Sequence, residues 1–151
     1  MTEPFFVVPP QIHPDELSPA VWAYIGDVVY ELYVRQRLLA GGPAKTKSLH
    51  KETVKRVRAS FQADLVRRLE PCLSEQEREI VRRGRNMKSG HTPAKTDVLT
   101  YRHSTAFEAL IGYLYLNGQT ERLAELLVLA FNLQENSEGE QVPSALKDHS
   151  S

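Results

Sequence analysis

Apolar residues recur every three or four positions along most of this chain, a spacing that predicts helices and almost no strand. Ser18 followed by Pro19 is a strong helix start, because the hydroxyl caps the first turn and proline suits the first helical position. We therefore predict a first helix over 19–40, ended by Gly41 and Gly42. Apolar side chains surround its axis on every side, which is typical of a helix at the centre of a fold.

A second helix is predicted to begin near Thr46 or Ser48 and to end at Pro71, with room for a bend near 58–63. The spacing of its apolar positions places them on one buried face. They are Leu49, Thr53, Val54, Val57, Phe61, Leu65 and Leu69.

Two further helices follow. Ser74 with Glu77 three residues later matches a capping box, so we predict a third helix from there to about Asn86. Residues 88–96 are rich in Gly, Pro, Ser and Thr and are predicted to form a loop. A fourth, mostly apolar helix is expected over about 97–117.

A fifth helix, capped by Thr120, completes an all-α fold of about five to seven helices in a single domain over 17–135. Residues 1–16 contain four prolines and are predicted to form an extended arm. Residues 136–151 are polar and are predicted to be a disordered tail.

Composition limits the classes of protein to consider. The 151 residues suffice for one ordinary core. The single cysteine, Cys72, cannot form an intramolecular disulfide, and the first residues lack the basic and apolar pattern of an export signal. Charged residues interrupt the apolar runs before the roughly 18 positions that a membrane span needs. We expect a cytoplasmic protein with no membrane partner.

Acidic side chains stand out in the two most apolar helices. Asp27 and Glu31 lie one turn apart in the first, and Glu108 is the only charged residue from Ser104 to Gln119 in the fourth. Crossing these helices would bring oxygen ligands together for a hard cation such as Mg²⁺. The alternative is structural ion pairing, for example between Glu31 and Arg35. Spacing alone leaves both interpretations open.

The segments AYIGDVVYELYVR and STAFEALIGYLYL favour metal binding over structural ion pairing. Together with KSLH and RRGRNMKS, in this order and spacing, they resemble the catalytic domain of the ribonuclease III family over about residues 17–131. The chain is most similar to the small branch called Mini-ribonuclease III, which lacks a double-stranded RNA-binding domain.

This resemblance implies a metal-dependent endoribonuclease in which Asp27 and Glu108 are the catalytic residues and hold Mg²⁺. It also implies a homodimer that cuts both strands of a stem in precursor 23S ribosomal RNA. Larger members have two more carboxylates, where this chain has Ala23 and Thr105. Glu31 has no equivalent role in those members, so we expect it to support the site or the fold.

Basic residues cluster in two windows, 45–58 and 82–102, although nineteen basic and nineteen acidic residues balance overall. One such run is usually a solvated face, but two runs flanking one acidic pair favour binding to the phosphates of duplex RNA. The residues predicted to bind RNA are Lys47, His50, Lys51, Arg82, Arg83, Arg85, Asn86, Lys88 and Lys95. A helical protein that binds duplex RNA without cutting it remains the alternative function.

Overall fold

The computed structural model describes residue 8 and residues 10–87 and 97–138, and in these ranges the chain is helical with no strand. The all-α prediction is confirmed. The six α-helices are α1 (Pro19–Ala40), α2 (Thr46–Val57), α3 (Ala59–Leu69), α4 (Glu75–Asn86), α5 (Val98–Leu116) and α6 (Thr120–Glu138). Short 3₁₀ turns form at Pro14–Glu16 and Glu70–Cys72. None of the described helices is long and apolar enough to cross a membrane.

The starts of α1 and α4 lie where the sequence predicts them, whereas Thr120, the predicted cap of the last helix, is the first residue of α6. The Ser18 hydroxyl accepts a hydrogen bond from the backbone N–H of Val21 at the start of α1. At α4 the capping box is complete, because Ser74 Oγ accepts from the Glu77 N–H and Glu77 Oε1 accepts from the Ser74 N–H. These contacts satisfy backbone donors that have no partner inside the helix.

The predicted second helix is two helices. Arg58, within the predicted bend, has an extended backbone with ψ of 155° and separates α2 from α3. Its guanidinium lies over the ring of Phe61, 4.5 Å from the ring centre. Val54 is also not on a buried face as predicted, because 64% of its surface is exposed.

Both predicted domain boundaries need correction. The arm predicted over 1–16 is not extended at its end, where Pro14–Glu16 form a 3₁₀ turn. The Trp22 indole N–H donates to the Pro14 carbonyl at 2.8 Å, which fixes this turn against α1. At the other end α6 continues to Glu138, three residues into the predicted tail. Residues 1–7, 9 and 139–151, which carry the rest of both predictions, lie outside the described part.

Helix α5 is the central element, with α1, α3 and α4 packed along it. Its side chains from Ser104 to Leu114 are buried, with Glu108 the partly buried exception. Two edge-to-face aromatic pairs join it to α1, with ring centres 5.2 Å apart for Trp22 and Tyr113 and 4.8 Å for Tyr30 and Phe107. Since residue numbers rise along one helix as they fall along the other, α1 and α5 are antiparallel.

The backbones of α1 and α5 touch at two glycines. A Cβ atom at Gly26 would overlap the Glu108 carbonyl oxygen, and one at Gly112 would overlap the Trp22 carbonyl oxygen. Each added Cβ would also lie 2.8 Å from the backbone nitrogen of the other glycine. Only glycine at both positions allows this approach, because every other residue carries the Cβ.

Polar contacts attach α6 to the rest of the bundle. The buried Glu77 carboxylate accepts two hydrogen bonds of 2.8 Å from Arg122, which also donates to the Cys72 carbonyl at 2.7 Å. Near the other end of α6, Gln134 Nε2 donates to the Arg56 carbonyl at 3.0 Å. These bonds satisfy groups that would be costly to bury alone.

Although apolar side chains surround its axis, α1 is not buried on every side within the single chain. Val21, Tyr24, Val28 and Leu32 are exposed, with 75% of the surface of Tyr24 and 65% of that of Val28 accessible. Their spacing of three and four residues places them in one stripe along the helix. This apolar stripe faces away from the core of the single chain.

We expect Gly26→Ala to lower the free energy of unfolding by about 3 kcal/mol or more, because the new methyl group forces α1 and α5 apart. Gly41→Ala is the matched control, since a Cβ there meets only the Leu38 carbonyl oxygen, at 3.3 Å. Urea unfolding of both variants measures the difference. Equal stabilities would contradict the close approach of the two backbones.

Candidate active site

The crossing of α1 and α5 brings together the two acidic residues predicted to be catalytic. Asp27 follows Gly26, whose backbone lies against the carbonyl of Glu108. The two carboxyl groups lie close enough for the charge of Asp27 to act on Glu108. Asp27 is exposed in the single chain, and Glu108 is partly buried beside it.

This arrangement makes Glu108 hard to ionise. Burial, followed by the negative charge of Asp27, raises the pKa of Glu108 to about 8. The side chain of Gln62 on α3 opposes the increase. Near neutral pH the pair therefore holds one proton that two separate carboxylates would release.

A hard divalent cation fits this pair, because its charge offsets the repulsion between two ionised carboxylates and it prefers oxygen ligands. The described residues offer no group of three or more His, Cys, Asp or Glu side chains suited to a metal ion. Ala23 and Thr105, at the positions where larger relatives would carry carboxylates, are both buried. A cation held by these two carboxylates would take its other ligands from water or from phosphate oxygens.

Glu31 has a structural partner. Its Oε2 accepts from Arg35 Nε at 2.9 Å and lies 2.7 Å from another nitrogen of the same guanidinium. This is the pair along the helix that the sequence allowed as an alternative to a metal role. Within the described ranges no ion pair forms at Asp27, so the same explanation does not account for that carboxylate.

The predicted RNA-binding residues divide into two described groups. Lys47, His50 and Lys51 are exposed together on α2. His50 also lines a cavity between α2 and the end of α1. Lys88 and Lys95 lie outside the described residues.

The basic residues of α4 have contacts within the chain. Arg82 pairs with Glu79, with an Nε to Oε1 distance of 2.9 Å. Arg83 is half-buried, and its guanidinium lies 4.9 Å from the ring centre of Trp22. Arg85 is half-buried and Asn86 is exposed. Their role in binding RNA stays a prediction.

Gln62 is a residue at this site that sequence reasoning missed. It lies three and seven positions before Leu65 and Leu69, on the same face of α3, and is buried with them. A polar residue in register with a buried apolar face was the available signal. Sequence analysis that considers only charged residues in apolar helices does not detect it, because glutamine carries no charge.

Comparison with known proteins gives the family. Residues 20–119, which contain both Asp27 and Glu108, match the family model described as Ribonuclease III domain. The chain belongs to the ribonuclease III family.

Its relatives identify the branch. Mini-ribonuclease 3 of Thermoanaerobacter sp. (strain X514) is 53% identical over 119 residues, which cover 79% of this chain and 84% of that protein. Mini-ribonuclease 3 of Symbiobacterium thermophilum is 45% identical over 126 residues, 83% of this chain and 97% of that protein. A crystal structure of a Fusobacterium nucleatum protein matches with a TM-score of 0.71 and 27% identity, covering 79% of this chain and 95% of that one.

Membership in this branch makes the chain an endoribonuclease that acts on double-stranded RNA. The prediction of a ribonuclease III fold and enzyme is confirmed. The alternative of a duplex-binding protein that does not cut RNA is thereby set aside.

The raised pKa of Glu108 predicts how stability varies with pH when metal is absent. Between the ordinary pKa of about 4.5 and about 8, native Glu108 keeps a proton that the unfolded chain has lost. Stability contributed by this group therefore falls as pH rises through that interval, by a few kcal/mol. Thermal melting in EDTA from pH 5 to pH 8 should show the decrease.

Glu108→Gln should flatten this decrease, because glutamine does not titrate. Glu31→Gln is the matched control, since it removes a nearby carboxylate paired with Arg35 and should keep the slope. If the slopes of the protein and of Glu108→Gln were equal, Glu108 would not carry the raised pKa.

Proposed function

We propose that Asp27 and Glu108 are the catalytic residues of this endoribonuclease and that they hold Mg²⁺. The observation that carries the proposal is the meeting of these two carboxylates at the crossing of α1 and α5, where burial and mutual repulsion oppose the ionisation of Glu108. A divalent cation between them would let both ionise. A purely structural role would not explain why two carboxylates meet at this crossing, whereas metal binding does.

Asp27 and Glu108 would hold the Mg²⁺, whose chemistry would be to activate a water and to stabilise the charge that develops on the phosphoryl oxygens during hydrolysis. The chain contributes the position of the ligands. Asp27 is exposed toward the solvent side, where RNA has access, while Glu108 is held from within the bundle. Because both project from helices fixed by backbone contact at Gly26 and Gly112, their separation stays nearly constant.

The RNA surface that we propose comprises the two basic windows. The proposal is supported by the exposed basic side chains of α2 and by the half-buried Arg83 and Arg85 at the end of α4, which leads to residues 88–96. Lysine and arginine displace counterions from the phosphate backbone, which supplies affinity for duplexes of many sequences. The stacking of Arg83 on Trp22 makes that arginine a fixed part of the surface.

We further propose that the substrate is a base-paired stem of precursor 23S ribosomal RNA and that the protein acts in the cytoplasm. The similarity to Mini-ribonuclease 3 relatives across most of the chain supports the substrate. The single exposed cysteine, Cys72, is compatible with a reducing compartment.

A homodimer is also part of the proposal. The exposed stripe of Val21, Tyr24, Val28 and Leu32 is a contiguous apolar surface of the kind that marks protein interfaces. A two-fold contact would let the same stripe of a second copy cover it. Each subunit would then supply one site and cut one strand.

The proposed site predicts that Asp27→Asn and Glu108→Gln abolish cleavage without unfolding the protein. Each change keeps the side-chain shape and removes one negative charge, so we expect a loss on the order of a thousandfold in rate. Single-turnover cleavage of a labelled RNA stem across a Mg²⁺ titration measures this, beside thermal melting and RNA binding. Glu31→Gln, one helical turn from Asp27, should cut at nearly the normal rate.

A structural ion pair predicts the opposite pattern. Breaking such a pair lowers stability by about 3 to 5 kcal/mol, and activity falls only as far as folded protein is lost. Variants of Asp27 and Glu108 that are stable and still cut at the normal rate would refute the proposed site.

For the dimer, we expect Val28→Glu to shift the protein to monomers, because a charge in an apolar interface is costly to desolvate. Val54→Glu is the matched control, as 64% of Val54 is exposed and it lies on α2, whereas the stripe lies on α1. Light scattering at micromolar concentration gives both masses. If the unchanged protein is active but has the mass of a monomer, the proposed homodimer is wrong.

A further inference from the structure

Two adjacent arginines of α4, Arg82 and Arg83, have different surroundings. Arg82 is exposed, and two of its guanidinium nitrogens donate to the carboxylate of Glu79. A phosphate would have to compete with Glu79 for that guanidinium. Arg83 forms no ion pair with any acidic side chain in the described part of the chain, and its guanidinium lies 4.9 Å from the ring centre of Trp22. Of the two arginines, only Arg83 presents a charge that no neighbour neutralises.

The ring of Trp22 is held in place on several sides. Its side chain is fully buried, and its indole N–H donates to the Pro14 carbonyl at 2.8 Å. The ring of Tyr113 meets it edge to face, and the hydroxyl of Tyr113 donates to Asp15 in the same N-terminal turn as Pro14. The indole therefore offers Arg83 a surface of fixed orientation.

The backbone next to Arg83 is fixed as well. A Cβ atom at Gly84 would lie only 3.0 Å from Ala106 Cα and Ala109 Cβ, so glycine lets α4 approach α5 closely there. Because α1, which carries Trp22, also packs along α5, the base of Arg83 and the ring under its guanidinium are attached to one helix.

A stacked arginine without an ion pair is well suited to bind phosphate. The face of an indole attracts a guanidinium more strongly than other aromatic rings do. Stacking uses the flat face of the guanidinium and leaves the N–H donors at its edge available, and a phosphate can accept two of them at once. A guanidinium that is fixed before RNA binds also avoids part of the entropic cost of ordering a long side chain.

We propose that Trp22 is a positioning residue that holds Arg83 in place for a backbone phosphate of duplex RNA, and that Arg83 and not Arg82 binds the phosphate. This inference rests on the proposed function, in which both arginines belong to the RNA surface. Trp22 itself is buried and touches no RNA. The N-terminal turn that holds Trp22 thereby contributes to RNA binding without contacting the duplex.

The first test compares the two arginines. Arg83→Gln should flatten the dependence of RNA affinity on salt by about one unit of slope, as expected for one lost phosphate contact. Arg82→Gln should leave the slope unchanged. Equilibrium binding of a labelled RNA stem across a salt titration in EDTA measures both slopes. Because the two variants lose the same charge at adjacent positions, equal slopes would overturn the assignment to Arg83.

The second test concerns the ring. Trp22→Leu and Trp22→Phe both lose the indole N–H that donates to Pro14, but only Trp22→Leu also loses the aromatic ring. Trp22→Leu should weaken RNA affinity by roughly twofold to tenfold, because Arg83 must then be ordered on binding. Trp22→Phe should retain most of the affinity. Thermal melting of each variant confirms that binding is measured on folded protein, and equal losses of affinity in the two variants would contradict a role of the stacked ring.

A double-mutant cycle separates positioning from a structural role. If Trp22 acts through Arg83, adding Trp22→Leu to the Arg83→Gln variant should cause no further loss of RNA affinity. A tryptophan with only a structural role would cause the same loss in both backgrounds, and that result would overturn the inference.

Arg83→Lys tests the positioning without a change in the core. Lysine keeps the charge but lacks the planar group that stacks on an indole. The salt slope should therefore remain, while RNA affinity falls by a factor similar to that for Trp22→Leu. An unchanged affinity in Arg83→Lys would overturn the inference even if Trp22→Leu did not fold.

Variants of α2 distinguish failure of this inference from failure of the proposed RNA surface. Lys47→Ala combined with Lys51→Ala removes two exposed charges that belong to that surface but lie on a different helix. If this double variant flattens the salt dependence while Arg83→Gln does not, only the inference about Trp22 and Arg83 is wrong. If neither changes the salt dependence, the proposed RNA surface is wrong as well.

Discussion

The contact between the backbones of α1 and α5 at Gly26 and Gly112 sets the positions of most other parts of the molecule. Two helices with side chains at their crossing lie about 8 to 10 Å apart, whereas glycine at both positions removes the separating atoms. The aromatic pairs on either side of the crossing then fill the space between the diverging helices. Asp27 follows Gly26, and the backbone carbonyl of Glu108 lies against Gly26. The same helix contact therefore determines both the packing of the core and the position of the acidic pair.

The same contact explains why the acidic pair is tolerated. Burial and the charge of Asp27 raise the pKa of Glu108, so the site destabilises the fold at neutral pH when no cation is present. The extensive packing of α5 against three helices offsets that penalty. Strain and unfavourable charge concentrated at one place in an otherwise consistent structure are typical of functional sites.

Helix positions could be predicted well where local chemistry fixes them. The caps at Ser18 and Ser74 gave α1 and α4 their correct starts, since a side-chain oxygen satisfies backbone donors in any tertiary context. The break at Arg58 was located only to within a few residues, because no residue near it excludes a helix. Periodicity alone could not tell which part of the apolar surface of α1 meets the core of the single chain and which part meets solvent or a second copy.

The acidic pair could be predicted because each carboxylate stands among apolar residues, but the exposure of Asp27 could not. On α1, Asp27 lies between the buried face, which includes Gly26 and Tyr30, and the exposed stripe, which includes Tyr24 and Val28. At about 100° per residue, Asp27 is therefore at the border of both surfaces. The buried face of α1 thus fixes the acidic site. If a second copy covers the exposed stripe of α1, Asp27 lies at the edge of that interface. In that arrangement assembly and the accessibility of the acidic pair depend on the same helix.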